Sequence, residues 1–355
     1  FYCHTFMSSY FRSNIDAMTG YIPGEQPKPG TPIIKLNTNE NPYPPSPAAM
    51  AVLQSFAGEW LRRYPHPYAN DFRQAISEVL DIPLDWIMVG NGSDEILSVI
   101  VRACTDASRK IAYPTPTYVL YKTLAEMQPT DVVEVPYPAD YSLPIAELVA
   151  ADPAVVFLAS PNSPSGHVIT NDELRSLATQ VSGVVVVDEA YIDFADSSAL
   201  ELVREFSNVI ISRTLSKGYS LAGLRLGFGI AQPSLLSGFF KVKDSYNIDA
   251  IANLIGAAAM RDQAYKNECV AKVKASRTKL LADLKQLGFA VGESQTNFLL
   301  AQPPNANAEA LYLALKAQGI LVRYFNQPGL SDKLRITVGT DEQNQTLITA
   351  LSHLI

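Results

Sequence analysis

Lys217 is the residue in this chain whose surroundings say most about chemistry. It lies in the run SRTLSKGYSLAGLRLG, Ser212 to Gly227, just after the β-branched stretch Val209 to Ser212, with Ser216 before it, Gly218 after it and Arg225 eight residues on. A lysine amine is a weak nucleophile at its ordinary pKa of ~10.4. Beside another cation in a pocket it loses its proton and condenses with an aldehyde. An arginine close by supplies a planar fork that suits phosphate. The pair therefore points to a ligand carrying both an aldehyde and a phosphate, unless Lys217 is simply a surface residue.

Several other motifs bear on the choice. GNGSDE, Gly90 to Glu95, falls between a strand-like and a helix-like stretch. Its glycines, Gly92 among them, allow close backbone approach, and Ser93 and Asp94 would open the helix where free amides attract an anion. A capped turn without a ligand reads equally from the same residues. Glu95 takes the place of a third glycine, so this is not a dinucleotide fingerprint. SPNSPSG, Ser160 to Gly166, follows an apolar strand. Open α/β sheets bind ligands at that edge, where Asn162 could donate to a phenolate oxygen or merely shape a turn. In VVVVDEAYIDF, Val184 to Phe194, four valines bury a strand that ends on Asp188. A carboxylate there needs a partner: a helix cap, a salt bridge or a protonated ring nitrogen, with Tyr191 three residues on in reach of a ring hydroxyl. In YPTPTYVLY, Tyr118 begins a helix after a strand, in position to stack on an aromatic ring or to fill the core. Arg335 in LRITVG and Arg323 in ILVRYF interrupt apolar strands, which suits either structural ion pairs or an anionic substrate. Aldehyde, phosphate, ring nitrogen and ring hydroxyl together describe pyridoxal phosphate.

These residues need a scaffold. Short apolar strands are predicted at Trp86 to Val89, Ile111 to Tyr113, Val132 to Val135, Val155 to Ala159, Val184 to Asp188 and Val209 to Ser212. Helical patterns fall between them at Phe72 to Leu80, Ser93 to Ala103, Tyr118 to Met127 and Asn171 to Thr179. That alternation predicts an α/β fold, a mostly parallel sheet covered on both faces. The stretch Tyr21 to Pro47, rich in proline, reads as an extended arm. After Asp249 the texture turns α+β, with a long helix-rich stretch from Ile251 to Leu287, then shorter strands and helices. The expected division is an extension and arm over 1–47, a large domain over 48–247, and a smaller domain over 248–355 joined by part of the arm.

Composition narrows the alternatives. A chain of 355 residues exceeds one ordinary core, and 47% hydrophobic with 18% charged residues is the balance of a soluble globular protein. Net charge −7 leaves no electrostatic footprint for nucleic acid, and no apolar run approaches the ~20 residues of a membrane span. Cys3, Cys104 and Cys269 are widely spaced, which fits a reducing compartment. His4, His66, His167 and His353 show no metal-ligand spacing, so no metal is expected. The first residues lack an apolar signal segment, and Met7 could be a natural start.

In order, the motifs resemble the aspartate-aminotransferase superfamily, fold type I of pyridoxal phosphate enzymes, and within it the histidinol-phosphate aminotransferase family. The likeness runs from LNTNENPYPPSP, Leu36 to Pro47, to RITVGT, Arg335 to Thr340, and rests most on SKGYSLAGLRLGF, VVDEAYIDF, RYPHPY and RITVGT. It implies a large three-layer αβα domain and a smaller α+β domain. The implied reaction is transamination between L-histidinol phosphate and 2-oxoglutarate, a step in histidine biosynthesis, in a cytoplasmic homodimer. Aromatic aminotransferases and threonine-phosphate decarboxylase share most of the motifs.

Residue by residue, the resemblance implies that Lys217 binds the cofactor aldehyde and later moves protons, and that Asp188 holds the pyridine nitrogen protonated. Asn162 and Tyr191 would bond the ring hydroxyl, and Tyr118 would stack on the ring. Gly92, Ser93 and Asp94 would receive the cofactor phosphate, with Ser216 and Arg225 beside it. Tyr64 would reach the partner subunit's cofactor phosphate. Arg335 would bind the α-carboxylate of glutamate or 2-oxoglutarate, and Tyr21 and Arg323 the phosphate of histidinol phosphate. Asn39 and Glu40 lie in the arm motif with no role assigned. Gly218 departs from the family's usual alanine, SPNSPSG from its commoner PNNPTG, and the residues before Ser13 match nothing in it.

Overall fold

The computed structural model describes residues 10–20, 24–28 and 30–355. Tyr21, Met7, Cys3 and His4 lie outside them. A seven-stranded sheet organises the larger part, in the order Ile87–Asn91, Leu226–Ile230, Val209–Thr214, Val184–Asp188, Val155–Ala159, Ile111–Thr115, Val132–Pro136. All neighbouring pairs are parallel except those made by Leu226–Ile230, which runs antiparallel to both its partners. Successive side chains of a strand point to opposite faces. Val156, Leu158, Val185 and Val187 accordingly enter one apolar layer, while Val155, Phe157 and Val186 enter the other. Helices cover both layers, which is why these strands read as unbroken apolar runs.

The strand Leu226–Ile230 was not foreseen, because its LGFGI sequence was read as the tail of the lysine motif. It returns from Val209–Thr214 through the loop 215–225, with no full helix to carry the chain back across the sheet, and pairs with it antiparallel. Its Gly227 lets the start of helix Ser93–Cys104 come close: a Cβ there would sit 2.3 Å from the Ser93 amide nitrogen. This contact brings that helix N-terminus beside the lysine loop.

The smaller part is an antiparallel sheet, ordered Arg323–Tyr324, Leu334–Thr337, Phe298–Gln302, Ala290–Val291. Helices Gln263–Gln286, Ala308–Ala317 and Asp341–Leu354 share its core. The arm belongs here: Ile34–Lys35 pairs in parallel with Ile320–Leu321, and Leu36 is buried in this core. Two expectations need adjusting. The helix-rich stretch breaks at Asp262, whose side chain accepts from Tyr265 N and caps the second helix. The helix before the break, Ala250–Arg261, buries Ala252, Ile255, Ala259 and Met260 in the larger core against helix Asn70–Leu80. The packing therefore changes near 262 rather than at 248.

Candidate active site

A cavity of about 770 Å³ opens where the parallel strands end and the smaller sheet faces them. Lys217, Asp188, Tyr118, Tyr191, Ser93, Asp94, Ser216, Arg225, Asn39, Arg323 and Arg335 all line it. Residues 298 positions apart meet there, as the contact between Asn37 and Arg335 records.

Lys217 is half-buried in the wall of this cavity. Its Nζ donates to the Thr38 carbonyl at 3.2 Å and lies 5.9 Å from the Tyr191 ring centre. The backbone behind it is held by Asn41, whose Nδ2 donates to the carbonyls of Lys217 and Gly218 at 3.1 and 3.3 Å. Gly218 is required by packing, since a Cβ there would fall 2.2 Å from Asp193 Oδ2.

Asp188 ends its strand with 4% of its surface exposed. Its Oδ2 accepts from Tyr121 Oη at 2.9 Å, and its buried Oδ1 has no hydrogen-bond partner. Burial pushes its carboxyl up to about 7, opposed by the Tyr121 hydroxyl and reinforced by the charge of Asp94. Among the described residues no cation pairs with it. Neither the helix-cap nor the salt-bridge alternative therefore holds. A buried carboxylate with one orphaned oxygen on a cavity wall fits a protonated ring nitrogen.

The anion end is built from backbone. Helix Ser93–Cys104 begins after Gly92, at φ 77°, and no side chain caps it. Its first amides are left for an anion, which removes the reading of a capped turn. Gly92 itself is absent from the cavity wall; its role is clearance, because a Cβ would lie 2.8 Å from Arg225 Nη2. Arg225 pairs with Asp94 at 3.1 Å, and Tyr118 Oη reaches Asp94 Oδ1 at 3.4 Å. Ser216 Oγ accepts from Thr214 Oγ1 at 2.9 Å. Lys217, uncapped amides, Arg225 and Asp188 together fit pyridoxal phosphate.

At the other end Arg323 and Arg335 are register partners on adjacent strands. Phe325 lies under both guanidinium groups, at 5.2 and 5.4 Å, and Phe298 under Arg335 at 5.2 Å. Arg335 also donates to Ser163 Oγ and to the Asn37 carbonyl, each at 3.1 Å. Among the described residues no carboxylate pairs with Arg323. Two like charges side by side are unfavourable until an anion joins them.

Three expected residues need comment. Asn162 is fully buried and absent from the cavity wall, although Pro161 and Ser163 line it. Its Nδ2 donates to Pro116 O at 3.1 Å and to Ser165 Oγ at 2.7 Å, so both amide hydrogens are engaged. Tyr64 is 83% exposed, stacked on Tyr246 and away from this cavity. Asn39 acquires a contact: its Nδ2 donates to Tyr191 Oη at 2.9 Å. Sequence reasoning missed Tyr121, Thr38, Asn41, Ser163 and Phe325. Tyr121 alone left a signal, lying three residues after Tyr118 within the stretch expected to be helical.

Comparison with known proteins agrees with this geometry. Residues 31–351 match the family described as aminotransferase class I and II. The chain is 66% identical over 349 residues to histidinol-phosphate aminotransferase 1 of Trichormus variabilis, covering 98% of this chain and 100% of that one. It is 43% identical over 343 residues to the histidinol-phosphate aminotransferase of Citrifermentans bemidjiense, covering 97% and 98%. A solved structure of the Sinorhizobium meliloti histidinol-phosphate aminotransferase, in complex with pyridoxal-5'-phosphate, superposes with a TM-score of 0.88 at 26% identity over 98% of each chain. The chain belongs to the class I and II aminotransferases and, within them, to the histidinol-phosphate aminotransferases.

Proposed function

We infer that this protein is a pyridoxal phosphate-dependent aminotransferase that transfers the amino group of L-histidinol phosphate to 2-oxoglutarate, giving imidazole-acetol phosphate and L-glutamate. The observation that carries this reading is one cavity whose wall includes Lys217, Asp188 and the register pair Arg323 and Arg335. When bound, the cofactor supplies an aldehyde that accepts the amine and a ring that takes up the electron pair left by a departing Cα proton.

The chain's own residues do the rest. With the cofactor bound, Lys217 would hold its aldehyde carbon and, with a substrate amine in its place, would serve as the base that takes the Cα proton and the acid that returns it. Asp188 keeps a proton on the ring nitrogen. The first amides of helix Ser93–Cys104, Ser216 and Arg225 hold the cofactor phosphate, with Gly92 giving clearance. Tyr118 covers a ring face. Tyr191, steadied by Asn39, donates to the ring oxygen. Asn162 joins it only by giving up its bond to Pro116 or to Ser165. Arg335 takes the α-carboxylate of glutamate or 2-oxoglutarate, and Arg323 the phosphate of histidinol phosphate; Tyr21, assigned to the same phosphate, lies outside the described residues.

The working form is a homodimer in the cytoplasm. Tyr64, exposed beside Trp60 and Leu61, contributes to the partner subunit's cofactor phosphate site. No helix among the described residues is long and apolar enough to cross a membrane. The test is the absorbance of the purified protein before and after L-histidinol phosphate, with glutamate measured once 2-oxoglutarate is added. A band that bleaches with histidinol phosphate, followed by glutamate, supports the reading; Lys217→Ala loses both. A coloured protein that forms no glutamate overturns the substrate, and one that takes up no pyridoxal phosphate overturns the whole reading.

A further inference from the structure

Asp188 is held from behind by a residue outside the cavity. Tyr121, in helix Leu120–Met127, is fully buried, and its hydroxyl donates to Asp188 Oδ2 at 2.9 Å. Its ring is clamped: it stacks on Phe157 with centroids 4.7 Å apart and planes 9° from parallel, and meets Tyr118 edge-on at 5.8 Å. Tyr118 lines the cavity and Tyr121 does not. One buried tyrosine therefore touches both the carboxylate assigned to the ring nitrogen and the ring assigned to the cofactor's face.

The charged groups around Asp188 make this contact matter. Asp94, on helix Ser93–Cys104, and Glu189, the next residue, both disfavour its charge. Each is matched to its own arginine, Asp94 to Arg225 at 3.1 Å and Glu189 to Arg213 at 2.8 Å. Tyr118 and Tyr137 lie near enough to Tyr121 to disfavour its ionised form further. Against burial, the Tyr121 hydroxyl is the largest influence favouring the charged carboxylate, ahead of the Ala190 amide. Burial in turn drives the Tyr121 phenol well above its ordinary pKa, so it remains a donor throughout the working range.

We propose that Tyr121 is a positioning residue of this site: its hydroxyl fixes Oδ2 of Asp188 so that Oδ1 is presented to the cofactor's ring nitrogen, and its ring braces Tyr118. It acts through Asp188 and touches neither cofactor nor substrate. The proposal rests on reading the cavity as a pyridoxal phosphate site.

The experiment measures pyridoxal phosphate affinity of apoprotein against pH, for wild type and Tyr121→Phe, with thermal unfolding of each. Wild-type affinity is expected to fall as pH drops below about 7, where Asp188 gains its proton. A hydrogen bond to a charged group is lost in Tyr121→Phe, so affinity near neutral pH drops about tenfold or more. The donor favoured the charged form, so its removal raises the Asp188 pKa, and the acid limb moves up by about one unit. In an Asp188→Asn background the same substitution should change affinity little, because its target charge is gone. Site-specific 3-fluorotyrosine at 121 keeps the shape and strengthens the donor; the limb then moves down, which tests the idea even if Tyr121→Phe does not fold. An unchanged acid limb in both variants, or a full additional loss in the Asp188→Asn background, overturns the proposal. A wild-type apoprotein that binds no pyridoxal phosphate overturns the reading of the cavity as well, which separates the two failures.

Discussion

Restoring the family's usual alanine after the lysine should harm this protein. At Gly218 an added Cβ would lie 2.2, 2.4 and 2.6 Å from Oδ2, Cγ and Cβ of Asp193. The clash reaches the Asp193 Cβ, so rotating the carboxylate does not relieve it. Asp193 is pinned as well: it sits in the short 3-10 turn Ile192–Phe194, whose Phe194 is fully buried, and pairs with Lys266 at 3.4 Å with both side chains largely buried. Overpacking of this kind costs about 1–3 kcal/mol. The alanine recovers about 0.4–1 kcal/mol by restricting the unfolded chain. The net expectation for Gly218→Ala is a loss of about 1–2 kcal/mol, or roughly 1–3 °C in thermal midpoint for a chain of this length. Thermal unfolding of apo and cofactor-loaded protein measures it. The penalty should shrink without vanishing in an Asp193→Ala background, where Cγ and Oδ2 are gone and only the Cβ contact remains. A Gly218→Ala protein as stable as wild type would refute the reasoning, as would a penalty undiminished in the Asp193→Ala background.

Arg323→Ala should raise the KM for histidinol phosphate about tenfold or more, the scale of a lost charge-assisted hydrogen bond, and that for glutamate far less; steady-state kinetics with each substrate decide, and equal losses would refute the division of roles. Asp188 has a folded pKa of about 7, above its unfolded value of ~3.9, so the folded apoprotein holds a proton that the unfolded chain has released. Stability contributed by this group is thus greatest below the unfolded value and declines as pH rises through that window. Apo Asp188→Asn cannot ionise and should be the more stable form at pH 8, by on the order of a few kcal/mol, with the gap closing as pH approaches 4. Chemical denaturation across pH reads this out, and a gap independent of pH would refute it.

What could be read from the chain was what depends on local order. Val155–Ala159 and Val184–Asp188 were bounded correctly because a doubly covered strand is a continuous apolar run with few competing descriptions. Asp188 stood out because it is a charge at the end of such a run, where burial demands a partner, and Lys217 and Arg225 because they share the polar motif that follows another run. Leu226–Ile230 was lost because glycines at 227 and 229 weaken a strand signal, and their purpose, clearance for Ser93 and for Ile96 and Ile210, exists only after folding. Helix Ala250–Arg261 was assigned to the wrong unit because a helical pattern states which residues are buried and not what they are buried against.

The sequence by itself marked most strands of the larger sheet and the charged residues near their ends, since these follow from periodicity and from the cost of burying a charge. The tertiary structure alone decided that Tyr121 stands behind Asp188, that Arg323 lies opposite Arg335, that Thr38 receives the Lys217 amine, and that Asn162 is turned into its own loop. Each of those relations joins segments far apart in the chain or depends on the direction of one side chain. A hydrogen bond is made or lost over less than an ångström, and spacing along a sequence does not encode distance at that scale.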